Sequence, residues 1–163
     1  VDPTVDKMLT DAGERAALEA RGRAAIANAK LAYEAFNEIF GGDEFADLRA
    51  AGANVQRCLW ASTSTKNPDY RDVLYVEELI GPDTVNTMPL ETIEAFLDHG
   101  NVERRLDQDL DGARQALREV EASGVSMERV TEELLAEGVA SFAKSFDELI
   151  ETIESKRKEL APA

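Results

Sequence analysis

Residues 55–89 read VQRCLWASTSTKNPDYRDVLYVEELIGPDTVNTMP, and the folding of this stretch decides how the rest of the chain is arranged. Val55, Cys58, Leu59 and Trp60 make an apolar run that opens into Ala61-Ser62-Thr63-Ser64-Thr65-Lys66-Asn67-Pro68. That is the pattern of a buried strand delivering polar groups at its C-terminal end, where ligands bind in sheets and barrels built from βα units. Residues 84–88, Thr-Val-Asn-Thr-Met, are rich in β-branched side chains and predict a second strand. Between the two, Asp72 to Ile80 predicts a short helix with Val73, Val76 and Leu79 inward, broken at Gly81-Pro82-Asp83. Two parallel strands joined by a right-handed crossover satisfy that order.

Outward from this centre the chain reads as helix. Asp2 is a natural N-cap with Pro3 at the first helical position, and Val5, Met8 and Leu9 share a face until Gly13. A long helix is expected from Ala16 to Phe40, stopped by Gly41-Gly42, with Ile26, Ala29, Tyr33, Phe36 and Phe40 on one stripe. Phe45 to Ala51 predicts a short helix feeding the first strand. Pro89 opens a helix burying Ile93, Phe96 and Leu97, which ends at Gly100. Asp109 or Asp111 caps a helix carrying Ala113, Leu117 and Val120. Ser126 caps the last stretch, whose apolar face holds Val130, Leu134, Val139, Phe142, Phe146, Leu149 and Ile153. Gly138 is expected to bend or break it, and residues 156–163 are expected to fray. The strands are apolar enough to want neighbours on both sides, and two strands alone make a marginal sheet.

Composition narrows the function. The chain has 163 residues, 44% apolar and 31% charged, which describes a globular domain. A net charge of −15 repels nucleic acid and anionic lipid, so neither is expected as a partner. No apolar run approaches the roughly 18 residues of a bilayer span. The single cysteine, Cys58, excludes an internal disulfide and fits a reducing cytoplasm; on a strand it reads as a small apolar residue. One histidine and one cysteine make a zinc site unworkable, and no metal site is expected. No glycine loop of the Walker or dinucleotide type is present.

The candidate binding residues follow the first strand. Ser62, Thr63, Ser64 and Lys66 bring hydroxyls, backbone amides and a cation to a strand end, a set suited to a phosphate or polyhydroxy ligand. A solvated turn whose hydroxyls bond their own backbone is the competing reading. Asn86 and Thr87 end the second strand near the same mouth, or else cap the following helix. Lys66 makes a poor Schiff-base amine, because Asp69 and Asp72 beside it oppose a depressed pKa. His99 reads as a helix C-terminal cap. The acidic pairs Glu77-Glu78 and Glu132-Glu133 read as solvated helix faces.

The segment WASTSTKNPDYRDVLYVEELIGPDTVNTMP closely resembles the seventh-to-eighth-strand region of bacterial transaldolases, where the pattern runs WAST-x-x-KNP-x-Y, YV-x-EL, then TVNTMP. RAAIANAKLAYEAF resembles the segment preceding it, and EGVASFAKSFDELI resembles the family's final helix. The resemblance covers nearly the whole chain. It implies an α/β fold, a partial (β/α)8 barrel that is mostly helical with two parallel strands, residues 1–163 being its C-terminal half. It implies class I aldolase chemistry in the pentose phosphate pathway: a dihydroxyacetone unit passes between sugar phosphates through a lysine Schiff base, without metal or organic cofactor. The implied partners are fructose 6-phosphate, sedoheptulose 7-phosphate, erythrose 4-phosphate, glyceraldehyde 3-phosphate and the N-terminal half of the same barrel. In the family the Schiff-base lysine lies on the fourth strand and the acid/base carboxylates on the first and third. None of those strands is expected in this chain, so no catalytic residue is assigned here and the isolated chain is expected to be inactive.

Position by position, Ser62 matches the serine that binds substrate phosphate. Many relatives carry a basic residue two positions later, where this chain has Ser64; Lys66 is then expected to supply the charge, with Thr63 and Ser64 as weaker contributors. A reading from another class is a non-catalytic helical α/β piece that associates through exposed sheet edges.

Overall fold

The computed structural model describes residues 1–13 and 15–160. They fall into two compact units, Val1–Val125 and a second beginning at Ser126. The order in the first is α1 (Asp2–Ala12), α2 (Arg15–Glu19), α3 (Ala24–Gly41), α4 (Asp43–Ala50), β1 (Cys58–Ala61), α5 (Leu74–Glu78), β2 (Thr84–Thr87), α6 (Leu90–His99) and α7 (Leu110–Ala122). The second is α8 (Met127–Leu160). The described residues are thus mostly helical, with two strands. No helix among them is long and apolar enough to cross a membrane.

β1 and β2 pair in parallel, in the register Cys58↔Thr84 through Ala61↔Thr87. The ladder continues one step, with Ser62 N donating to Thr87 O at 3.1 Å. The crossover is the short helix α5. Both strands are four residues long, and the expected first strand loses its opening residues from Val55, which are exposed and irregular.

α3 is the central support. Its alanines let α7 approach: Ala27 packs with Ala113 and Ala116, flanked by Leu31 and Leu117. A second cluster joins Tyr33 to Leu79 and Leu106, with Phe36, Cys58 and Trp60 against it. Burial of Cys58 pushes its thiol pKa up, as befits a packing residue. The predicted stripe on α3 becomes a row of rings: Tyr33, Phe36, Phe40 and then Phe45 of α4, with centroids 4.9–5.8 Å apart.

Further expectations are corrected, beginning with α6, where Ile93 and Leu97, expected to be buried, are exposed. The helix expected over 16–40 is interrupted between Glu19 and Ala24. Gly22 there takes a left-handed φ of 71°, and a Cβ on it would stand 2.7 Å from Cζ of Tyr70. A tertiary contact therefore overrides local helix propensity. Asp2 is not an N-cap; Val1 is, and Asp2 lies inside α1 with its carboxylate buried. The pair Glu77-Glu78 is not a solvated face, since Glu77 is 2% exposed and both carboxylates are ion-paired. Gly138 does not break the last helix, because α8 runs unbroken for 34 residues. One interior glycine costs about 1 kcal/mol, which so long a helix absorbs.

α8 by itself carries Leu135, Val139, Phe142, Phe146, Leu149 and Ile153 at alternating spacings of four and three, all exposed. Glu132 and Glu133 are exposed as expected. Helix continues through 156–160 of the stretch expected to fray, and 161–163 lie outside the described residues.

Candidate functional site

The candidate site is a cavity of about 770 Å³ in the first unit, beside the C-terminal end of β1. Three pieces of chain wall it, together with α3, Tyr70, Tyr75 and Leu79. The first is β1 with its following loop, supplying Trp60, Ser62, Thr63, Ser64, Lys66 and Asn67. The second is the face of α1 with Asp2 and Asp6, and the third is the turn before α3 with Arg21.

The loop turns because Ser62 adopts φ 57°, a left-handed conformation that non-glycine residues seldom take. Its amide stays on the β2 ladder, so the chain leaves the strand abruptly. Strain of this kind persists only where neighbours hold it. Here the neighbour is buried Thr63, whose Oγ1 donates to Oδ1 of Asn86 at 2.7 Å. Lys66 Nζ donates to Ser64 Oγ at 3.1 Å, which draws the cation and hydroxyl together. Asn67 Oδ1 accepts from Asp69 N at 3.0 Å in an Asx turn, and Tyr70 N returns to Asn67 O at 3.1 Å.

Of the residues predicted from sequence, Ser62, Thr63, Ser64 and Lys66 all line this one cavity. Asn86 stands behind the wall, attached through Thr63. Thr87 is exposed, with its hydroxyl 3.4 Å from Trp60 O, and is not a lining residue.

The other two walls were not anticipated. Asp2 and Asp6 sit four apart on α1, on the same buried face as Val5 and Leu9. Asp2 Oδ1 accepts from Ala25 N at 2.7 Å and Oδ2 from Tyr75 Oη at 2.6 Å. Asp6 Oδ1 accepts from Gly22 N at 2.8 Å and Oδ2 from Tyr70 Oη at 2.6 Å. The Asp2 carboxylate thus satisfies an orphan amide in the first turn of α3, from outside that helix. Burial is the largest influence on Asp2 and raises its pKa, although Tyr75 and Ala25 pull the other way. Burial and the Asp6 carboxylate push the Tyr70 phenol up to about 12, and Tyr75 is raised further by burial and Asp2. Both phenols are therefore fixed donors at neutral pH. The sequence signal for this wall was Asp at i and i+4 on an apolar helix face, a place where an unpaired carboxylate is costly.

His99 lies away from this cavity. Its Nε2 is 2.9 Å from Asp72 Oδ1 and its Nδ1 3.2 Å from Asp98 Oδ2, and these carboxylates raise its pKa.

The profile of the family Transaldolase/Fructose-6-phosphate aldolase matches residues 3–153. Transaldolase 1 of Streptomyces coelicolor is 51% identical over 156 residues, covering 94% of this chain and 40% of the relative. Transaldolase of Trichodesmium erythraeum is 44% identical over 168 residues, 99% of this chain and 44% of the relative. Transaldolase of Mycolicibacterium smegmatis is 45% identical over 157 residues, 96% and 42% respectively. The chain spans 40–44% of the length of these relatives. With the profile matched over nearly its whole length, the chain belongs to the transaldolase/fructose-6-phosphate aldolase family.

Proposed function

We propose that this chain forms the sugar-phosphate-binding part of a transaldolase, with β1 and β2 as the seventh and eighth strands of a (β/α)8 barrel. The observation that carries the reading is the convergence of Ser62, Thr63, Ser64 and Lys66 on one cavity at the C-terminal end of β1. In parallel βα architectures that is the end at which ligands are held. Hydroxyls and the amides of a sharp turn donate to phosphate oxygens, and Lys66 offsets the charge. Ser62 and Lys66 take the main part, Thr63 and Ser64 a lesser one, and Asn86 braces Thr63; Thr87 would lie at the pocket mouth.

In this reading the reactive amine belongs to polypeptide outside these 163 residues. It condenses with the ketose carbonyl and releases water. The resulting iminium accepts the electron pair when the bond beyond the dihydroxyacetone unit breaks, and an aldose phosphate leaves. The retained unit then adds to the aldehyde of a second aldose phosphate, and water frees the product. This chain's contribution is to hold the phosphate end, so that the distant carbonyl meets the amine in one orientation. Fructose 6-phosphate, sedoheptulose 7-phosphate, erythrose 4-phosphate and glyceraldehyde 3-phosphate fit the scheme, which proceeds without metal or organic cofactor.

A second reading, association without catalysis, is favoured by one feature. Among the described residues the two strands pair only with each other, and Leu59 on β1 is half exposed.

Borohydride trapping with fructose 6-phosphate separates the two. The chain alone should remain unlabelled, and mixed with the remainder of a full-length relative it should support labelling of a lysine on that remainder. A stable ketose adduct on Lys66 would overturn the division of labour. Self-association without labelling in the mixture would favour the second reading.

A further inference from the structure

Besides Lys66 the cavity is lined by Lys7 and Arg21, and the use of Arg21 is not explained by the hydroxyl loop. We propose that Arg21 is an anion ligand of this site, its guanidinium taking the phosphate group of the bound sugar together with Ser62 and Lys66. The inference rests on the sugar-phosphate reading above and adds to it a residue from a different wall.

Arg21 lines the same cavity as Ser62, Ser64 and Lys66. Its Nε is buried and has no hydrogen-bond partner among the described residues. That sets it apart from its neighbours in type. Arg23 is paired with Glu119, Arg71 with Glu77, Arg105 with Glu78 and Glu103, and Arg114 with Glu34. Arg21 has two buried carboxylates on the adjoining wall, yet Asp2 and Asp6 give both of their oxygens to backbone amides and tyrosine hydroxyls. A buried N–H of a charged group left without a partner is costly, and native structures rarely tolerate one without a reason. The terminal nitrogens, which have no bond among the described residues and are not buried as Nε is, are where an incoming anion would compensate the charge. The planar guanidinium offers parallel donors to two phosphate oxygens, which an ammonium cannot do.

The residues around Arg21 hold it in place. Gly22, its neighbour, is fixed in the left-handed region, donates its amide to Asp6 and packs on the Tyr70 ring. Tyr70 in turn donates to the other oxygen of Asp6 and closes the loop that began at Ser62. One carboxylate therefore ties the Arg21 turn to the end of the hydroxyl loop. Asp6 acts here as a positioning residue, and Arg21 as the group it positions.

Trp60 is the only tryptophan in the chain and lines the cavity, so its fluorescence reports binding without a label. Inorganic phosphate and fructose 6-phosphate should both perturb it, with fructose as the phosphate-free control. Arg21→Gln should raise the apparent Kd for both phosphate probes at least about tenfold, the loss expected of a charge-assisted contact. Arg21→Lys should recover part of it. Because no bond of the guanidinium is found among the described residues, Arg21→Gln should melt at the wild-type temperature when phosphate is absent. An unchanged phosphate Kd in Arg21→Gln, with Lys66→Gln weakened, overturns the role of Arg21 and leaves the site reading standing. A lowered melting temperature without phosphate overturns it too, by making Arg21 a structural residue. No response of wild-type Trp60 to either phosphate probe overturns both.

Discussion

Two pairs of carboxylates sit on opposite duties in the first unit. Asp2 and Asp6 on α1 meet tyrosine hydroxyls and backbone amides, all neutral donors. Glu77 and Glu78 on α5 meet cations: Glu77 takes both terminal nitrogens of Arg71 at 2.8 and 3.1 Å, and Glu78 takes Lys30 at 3.2 Å and Arg105 at 3.0 Å. Glu77 also accepts from Asn101 N at 2.9 Å, which with Arg71 holds its carboxyl below the usual range. Asp2, by contrast, is pushed up. The α5 pair neutralises its charge locally and joins α3, α5 and the segment before α7. The α1 pair leaves the nearby cation Arg21 uncommitted at the edge of an open cavity. In the proposed reading the difference separates scaffold from site: charge is compensated where the fold must close and held available at the candidate cavity.

The largest effect should come from the compensated pair. Glu77→Gln is expected to cost about 2–3 kcal/mol of unfolding free energy, because a buried charged acceptor of several bonds is replaced by a neutral one. Chemical denaturation of the two proteins at neutral pH measures it. The pH dependence fixes the sign. The folded pKa of Glu77 lies below its unfolded value near 4.5, so its contribution is present above that pH and lost as pH falls through the folded value. Asp2 runs the other way. Its folded pKa lies above 3.8, so its contribution is full below that value and is lost as pH rises through the folded pKa. Glu77→Gln should therefore flatten the loss of stability on acidification, and an unaltered acid limb would remove the distinction drawn here.

A smaller effect is expected from the other pair. Tyr70→Phe removes one neutral donor from Asp6 and should cost about 1 kcal/mol. The Gly22–Asp6 bond is retained, so the variant should fold and keep the ring that packs on Gly22. A loss as large as that of Glu77→Gln would mean that both carboxylate pairs serve the fold alike.

The strands and the hydroxyl loop were legible in the sequence because their determinants are local. An apolar run ending in Ser-Thr-Ser-Thr announces itself, and all four predicted phosphate residues line the cavity. Asp2 and the Glu77-Glu78 pair were misread, and Asp6 passed unread, because their partners are remote: Asp2 finds Tyr75, and Glu77 finds Asn101. A shared pattern was nevertheless available. Asp2, Val5, Asp6 and Leu9 fall on one helical face, as do Val73, Val76 and Glu77. A carboxylate in phase with buried valines is buried as well and must be bonded. The break at 20–23 had no comparable signal. Only the packing of Tyr70 on Gly22 and the demand of Asp6 for an amide make it necessary.

In the proposed reading the loop after Trp60 faces a sugar-phosphate pocket. Backbone amide chemical shifts of the 163-residue chain, recorded during titration with fructose 6-phosphate, test it most directly. Saturable shifts concentrated at residues 60–67 and 20–23, with α8 silent, are expected. Shifts centred anywhere else, or equal shifts from phosphate-free fructose, would contradict it.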